Sequence, residues 1–508
     1  MAKLKKKKDK LYGPVSVLAI LICIVSIMSF LFSILGIESY KTVIANNTME
    51  TTLITVKNII SFDGIKFLIG ESVTKFSLFK PLVLIIIALL GISICEKSGL
   101  LSDIFSPFKR VKLNIVVFIT LLVGIISTII GDYSYIFLIP LVGVAYKYLG
   151  KNPVLGILIV FLGITIGYGT GVIFNYNDYL MGILTEKAAT VDIDKNYAYS
   201  LFSNIYIMIF STIVLSFIGT FVVDKFLVNK LPKKYSYEEE ELISSPKAKK
   251  TSLLIGLFLI ILFIYMILPA KMFGAGILLD SSASRYMEKL LGENSPFGSG
   301  LVIIITLIFI ACGFIYGKLS GNMKNSHQFS LGLSKNFENL GFMFVLMFFI
   351  SELSAIIEWT NLGTVIASKL LESMGTLQYS GVPLIITLFV VVIIMSVLLP
   401  FTIDKWNLAH PVIVPLFMRS NITPNMTQFI FKVADGVGKA CSPVFIYYII
   451  TLAFLEKYRI SEKNQVSIFG TLKLLMPVIL IMGFSMLLLI ILWYVMGLPI
   501  GIGTYSTL

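Results

Sequence analysis

Apolar runs long enough to cross a bilayer alternate with short polar breaks along nearly the whole chain. A crossing helix needs about 20 apolar residues. Nine segments fit, at about 15–37, 79–104, 153–180, 197–223, 252–268, 298–316, 340–374, 424–455 and 474–497. Polar residues or turns interrupt four of them: 79–104, 153–180, 340–374 and 424–455. Residues 38–77 are mixed and amphipathic with balanced charge, which predicts a segment lying along the interface. Two pairs of shorter apolar arms flank polar tips. The first pair is 113–130 and 136–148 around GDYSY, and the second is 382–399 and 408–418 around PFTIDKW.

Charge orients these segments. The chain of 508 residues has a net charge of +13, and basic residues in a membrane protein collect in cytoplasmic loops. The start, MAKLKKKKDKLYG, is strongly basic and no small-residue cleavage signature follows, so the first apolar run reads as a retained helix. Lys109, Arg110 and Lys112 precede the first pair of arms, and Lys147 and Lys151 follow it. Basic residues at both ends predict a re-entrant hairpin with its tip in the membrane. The second pair then enters from outside. This gives nine crossings, N-terminus cytoplasmic and C-terminus outside; a reading in which every arm crosses also gives an odd number. The expected architecture is an all-α polytopic protein of the inner (plasma) membrane, with nine transmembrane helices, two opposed re-entrant hairpins and an inverted repeat. It comprises a cytoplasmic basic N-terminus (1–13), a first half (14–223) with hairpin 113–148, a cytoplasmic linker (224–251) and a second half (252–508) with hairpin 382–418.

Composition narrows the function. Apolar residues make up 57% and charged residues 14%, against about 25% charged in a soluble domain. That argues against a soluble enzyme. No basic segment is interleaved with stacking aromatics, so nucleic acid is not an expected partner; the lipid bilayer is. His327 and His410 are too few for a histidine-based metal site and supply no catalytic pair. The four cysteines lie in or beside apolar runs, with no CxxC pair. GVGKACS at 436–442 lacks the spacing of a phosphate-binding GxxxxGK[ST] loop, and no such loop occurs elsewhere. No enzyme and no cofactor is expected, beyond Na⁺ or H⁺ as a coupling ion.

The halves repeat. A shift of 262 lays ICEKSGLLSDI (94–104) on IIEWTNLGTVI (356–366), and a shift of 271 lays Tyr135 on Trp406, Pro140 on Pro411 and Pro153 on Pro424. Secondary transporters use such repeats to build a midplane site at discontinuous helices. Helix N-termini there suit an anion, and carboxylates suit a cation. An ionisable residue inside the membrane marks a functional site by default. Asp132 and Asp404 at the tips, Glu352, and Asp435 with Lys432 three residues before it are therefore candidates.

The stretches DYSYIFLIPLVGVAYKYLGKNP, EWTNLGTVIASKLLE and DKWNLAHPVIVPLFMRSNITPNMTQFIFKVADGVGKACSP, with EKSGLL and LWYVMGLPIG, resemble the p-aminobenzoyl-glutamate transporter (AbgT) family of the ion-transporter superfamily. The resemblance covers about residues 10–503. It implies a homodimer of nine-helix subunits with two hairpins. It also implies uptake of p-aminobenzoyl-glutamate, or efflux of p-aminobenzoate-like antimetabolites such as sulfonamides, with Na⁺ or H⁺ coupling. Family positions for substrate fall on Trp406, Pro424, Pro443, Asp435 and Asp178. Lys432 stands where the family usually has arginine, Ser396 and Gly171 where it has asparagine, and Glu352 where it has glutamine. Trp406, Pro424, Pro443, Asp435, Asp178 and Lys432, with the tip residues Tyr135 and Asp404, form the expected substrate site; Asp435, Glu352, Asp132 and Ser396 form the expected ion-coupling set. The alternative cargo is a carboxylate or an amino acid. A membrane-embedded enzyme and a channel are the other classes, and the direction of transport stays open.

The loop charges generate a test. Cysteines replacing Glu240 and Gln465 should react with an impermeant thiol reagent only from the cytoplasmic side, and Ala283→Cys only from outside. Labelling of position 283 from the cytoplasm would reverse the orientation.

Overall fold

The computed structural model describes residues 13–45, 48–231, 242–269, 272–292, 294–337, 340–376, 378–458 and 466–508. The lysine run at 3–10 and the glutamate-rich part of the linker lie outside the described residues. The fold is predominantly helical and polytopic, with two small β-hairpins. Among the described residues eight helical stretches are long and apolar enough to cross a membrane, or nine when a pair bent by 42° counts as one.

Helix α1 (Pro14–Ile34) leads into an antiparallel hairpin of β1 (Glu38–Ala45) and β2 (Thr48–Thr55). This corrects part of the interfacial reading of 38–77. The segment is rich in threonine, valine and isoleucine, which favour the pleated backbone. Glu372 receives β1, accepting from Ser39 Oγ at 2.8 Å and from the Tyr40 amide at 2.7 Å. Only the remainder, α2 (Phe62–Ser77), is an amphipathic helix, and it runs into α3 (Lys80–Ser98) across a break before Pro81.

The rest of the first half is α4 (Leu100–Phe105), α5 (Leu113–Ser127), α6 (Tyr133–Tyr148), α7 (Pro153–Ile166), α8 (Tyr176–Asp192) and α9 (Ile205–Phe226). Then come α10 (Pro246–Met266), α11 (Tyr286–Leu291), α12 (Pro296–Ser320), α13 (Ser326–Ser334), α14 (Gly341–Trp359) and α15 (Leu362–Thr376). The second set of arms and broken helix is α16 (Val382–Leu398), α17 (Thr402–Arg419), α18 (Pro424–Cys441) and α19 (Ile446–Lys457). Helix α20 (Ile468–Val495) and a small hairpin of β3 (Pro499–Gly501) and β4 (Thr504–Tyr505) finish the chain. Both tips are shorter than the sequence suggested, because Tyr133–Tyr135 and Thr402–Trp406 already belong to the second arms. The interrupted segment expected at 153–180 is α7, a short 3₁₀ turn at 167–169 and the separate α8. The expected crossing from 197 begins only at Ile205.

Backbone landmarks repeat with the same two offsets. Gly99 ends α3 with φ +92°, and Asn361 ends the α14 turn with φ +57°, 262 positions on. Gly150 and Asn421, 271 apart, have φ of +64° and +61°. Asn152 and Thr423, again 271 apart, cap α7 and α18 with side-chain acceptors, each followed by proline at the first helical position. Helices α5 and α16 pack along α7 and α18, and α6 and α17 reach the far pieces α19 and α8.

The two broken helices form the centre. Every residue of α18 from Pro424 to Ala440 is buried, as is nearly all of α7. They cross where a Cβ on Gly436 would lie 2.4 Å from the Thr165 carbonyl oxygen. Thr165 and Gly436 are themselves one offset of 271 apart. By contrast α1 and α10 bury little of their surface, and Leu257, Phe258, Ile261 and Ile264 face outward as they must to meet lipid.

The crossing generates a test. Gly436→Ala must push two packed helices apart and should lower the melting temperature of the detergent-purified protein by several degrees. Gly70→Ala, where an added methyl meets nothing within 4 Å, should leave it unchanged.

Candidate functional site

Asp435 sits in the middle of α18 with no exposed surface. An isolated carboxylate there would cost several kcal/mol, so its oxygens are fully engaged. Oδ1 accepts from Ser396 Oγ of α16 at 2.7 Å and from the Lys405 ammonium of α17. Oδ2 accepts from Thr402 Oγ1 at 2.6 Å and faces Lys439 Nζ at 3.2 Å. Lys405 also donates to Ser396 Oγ at 3.0 Å, and Lys439 lies 4.0 Å above the Tyr168 ring, in cation–π range. The i,i+4 spacing puts Asp435 and Lys439 on one face of α18. The turn at 399–401 lets α17 deliver Thr402 and Lys405 from its first turn.

A second cluster lies one turn away. Lys432 does not join Asp435, its neighbour in sequence; its ammonium pairs with Asp178 of α8. Asp178 is held by a capping box, with its Oδ2 accepting from the Asn175 amide at 2.9 Å and its own amide donating to Asn175 Oδ1 at 2.9 Å. Asn175 Nδ2 donates in turn to the Thr128 carbonyl at 3.1 Å. Gln428 accepts from Thr185 Oγ1 at 2.7 Å and reaches Tyr199, and Asn425 accepts from the Tyr197 hydroxyl at 2.6 Å. Burial pushes both phenols up, so they stay neutral: Tyr197 donates to Asn425, and Tyr199 accepts from Gln428 Nε2 at 3.3 Å.

The other candidates separate. Ser396 is in the Asp435 cluster. Asp132, in the turn between α5 and α6, faces Lys439, Asp435 and Lys405 electrostatically, and its Oδ1 is buried with no hydrogen-bond partner among the described residues. Trp406 is fully buried, donating to the Met181 carbonyl at 3.1 Å and packing on Phe431 at 4.6 Å between ring centres. Tyr135 is equally buried, stacked on Tyr447 at 4.4 Å, with its hydroxyl 3.1 Å from Thr165 Oγ1. Pro424 opens α18 and Pro443 lies in its break before α19. Asp404 points away and is exposed. Glu352 is on α14, where it accepts from Ser72 of α2 at 2.8 Å; the structure does not bring it to the Asp435 cluster.

Sequence reasoning missed Lys405 and Lys439. The first stands beside Asp404 in sequence, and the second lies in the GVGKACS stretch. The i,i+4 spacing from Asp435 was the available signal for Lys439. The charged set has no counterpart in the first half. One offset of 271 back from Asp435, Ser396 and Lys405 stand Ile164, Ile125 and Ser134. Among the described residues no group of three or more histidine, cysteine, aspartate or glutamate side chains could hold a metal ion.

A family model for AbgT transporters matches residues 2–508. The chain is 26% identical over 507 residues to the p-aminobenzoyl-glutamate transport protein of Escherichia coli (strain K12), covering 98% of this chain and 95% of that one. Among solved structures it is similar to Neisseria gonorrhoeae MtrF, described with a class of antimetabolite efflux pumps. The TM-score is 0.50, with 25% identity and 98% of each chain covered. The Alcanivorax borkumensis YdaH transporter has a TM-score of 0.49 and 24% identity, over 97% of this chain and 100% of that one.

The Lys432–Asp178 pair generates a test on stability. Lys432→Met strands a buried carboxylate and should cost about 3–5 kcal/mol, seen as a lower melting temperature. Adding Asp178→Asn keeps the cap and removes the stranded charge, so the double variant should recover most of that loss. A double variant no more stable than the single would show that the pair does not account for the cost.

Proposed function

The chain belongs to the AbgT transporter family, and from that premise we propose that it is a secondary active carrier of a small organic anion. The cargo is p-aminobenzoyl-glutamate or a p-aminobenzoate-like antimetabolite such as a sulfonamide, coupled to Na⁺ or H⁺ by alternating access. The observation that carries this reading is the group of three buried lysines, Lys405, Lys432 and Lys439, beside the crossing of two broken helices. Two hydrogen-bonded carboxylates, Asp435 and Asp178, answer them. A set of ammonium groups held in a buried core is a ready acceptor for a carboxylate that displaces one of the protein's own. The relatives, named for p-aminobenzoyl-glutamate transport and antimetabolite efflux, support the aromatic acid as cargo.

In this reading the chain is no enzyme. The repeated landmarks support an inverted repeat, and the tips of the two hairpins enter the membrane from opposite sides. The N-terminus is cytoplasmic, the C-terminus outside, and the carrier works as a homodimer in the plasma membrane. Charges as deeply buried as Asp435 and Lys405 describe an occluded conformer, so the α16–α17 turn must leave α18 for cargo to enter. Trp406 and Tyr135, both packed beside the charged groups, are positioned to present aromatic faces when the tips part. The departure of several family positions favours one second reading, a carboxylate or amino-acid carrier with the same fold.

Flux into reconstituted vesicles under an imposed Na⁺ or H⁺ gradient tests the proposal. Asp435→Asn should insert normally yet lose gradient-driven p-aminobenzoate or p-aminobenzoyl-glutamate flux. Lys432→Arg should retain much of it and Lys432→Ala little, because the charge is what meets the anion. Full flux in Asp435→Asn would remove that residue from coupling.

A further inference from the structure

The oxygens around Asp435 are those a small monovalent cation would use: the carboxylate, Ser396 Oγ and Thr402 Oγ1. Hard cations such as Na⁺ are held by oxygen ligands of this kind. Here the place is taken by the chain itself. Lys405 Nζ contacts both the Asp435 carboxylate and Ser396 Oγ, and Lys439 Nζ contacts the other carboxylate oxygen and Thr402 Oγ1. Lys405 has no exposed surface, so its ammonium is committed to this position in the closed conformer. We propose that Lys405 is a tethered cation that replaces Na⁺ at Asp435, and that this carrier therefore binds and uses no Na⁺. The proposal rests on the carrier reading above and settles which coupling ion it can use.

Charge counting makes the same point. The ionisable groups facing Lys405 are Asp435 and Lys439 on α18 and Asp132 at the other tip; Asp404 is adjacent on its own helix but exposed. With Asp132 ionised, two carboxylates balance Lys405 and Lys439. With Asp132 protonated, the group carries one positive charge. Neither state offers the negative surplus that draws a metal cation into a low-dielectric core. A proton on Asp132 is the one small cation this group can exchange without displacing a lysine, and its uptake creates the positive surplus that an anion needs. Removing Lys405 reverses the count: two carboxylates then face one lysine, and two oxygen-bearing side chains, Asp435 and Ser396, are released from the ammonium.

The test needs no cargo. Purified wild-type protein is melted in detergent at pH 8 in NaCl, KCl or choline chloride of equal ionic strength. Wild type should melt at the same temperature in all three salts. Lys405→Ala, and Lys405→Gln as a second variant that retains bulk, should gain a saturable stabilisation in NaCl alone. The expected gain is about 2 °C or more for a site filled well above its dissociation constant. The Lys405→Ala/Asp435→Asn double variant should lose that gain. A saturable Na⁺-specific shift in wild type overturns the proposal, and so does the absence of any Na⁺ gain in folded Lys405 variants. The wild-type arm decides even where a variant does not fold. The carrier reading fails differently, by the absence of anion flux under any gradient, whatever the Na⁺ melts show.

Discussion

A carboxylate held at the centre of a bundle with no exposed surface has to be neutralised where it stands, and Asp435 sets that requirement for much of this fold. Four side chains answer its two oxygens, from three different helices. Ser396 is available only because α16 lies along α18. Thr402 and Lys405 are available only because the chain turns sharply at 399–401 and starts a new helix at once. Lys439 is available through helical spacing alone. The two arms, the short turn and the buried broken helix are thus one construction around one charge. An apolar residue in place of Asp435 would leave two buried ammonium groups facing each other, so the charges stand or fall together.

The membrane-crossing segments were legible because about 20 apolar residues in a row have few other uses. The breaks were legible too, since glycine, proline and asparagine mark them at matching offsets in the two halves. What escaped was local structure decided by weak preferences. The threonine-rich strands β1 and β2 looked merely polar beside the apolar runs, and the tip residues had propensity enough to join the helices after them. The site was legible in its acids and largely illegible in its bases. Asp435, Asp132 and Ser396 stood out as polar residues in apolar runs. Lys405 lies next to an acid in sequence yet is paired 30 positions away, and Lys432 lies three from an acid yet is paired with Asp178. Ion pairing in a packed core follows the path of the side chain, not the nearest opposite sign along the chain. Glu352 shows the converse. Its isolation in an apolar run suggested a share in the central chemistry, but a serine of the amphipathic helix α2 had first claim on it.

The contacts at the helix crossing have a further meaning. Thr165 and Gly436 occupy matching positions in the two repeats, and so do Tyr168 and Lys439, and each residue touches its own counterpart. Under the proposed inverted repeat, residues related by a two-fold rotation meet only on its axis, which then passes between these pairs. The backbone approach that Gly436 permits at this crossing leaves little room for one helix to slide along the other.

That axis carries an unequal load. In a duplicated carrier whose halves trade roles between its two end states, a perfectly matched pair would spend equal time facing either side of the membrane. Here Asp435, Lys405 and Ser396 belong to one half, and isoleucine or serine stands at the matching places in the other. Trading roles therefore does not reproduce the same energy. In the proposed alternating-access cycle the two end states then differ in energy before any gradient is applied, as in a latch rather than a balanced door, and the chain's own asymmetry sets where the empty protein waits.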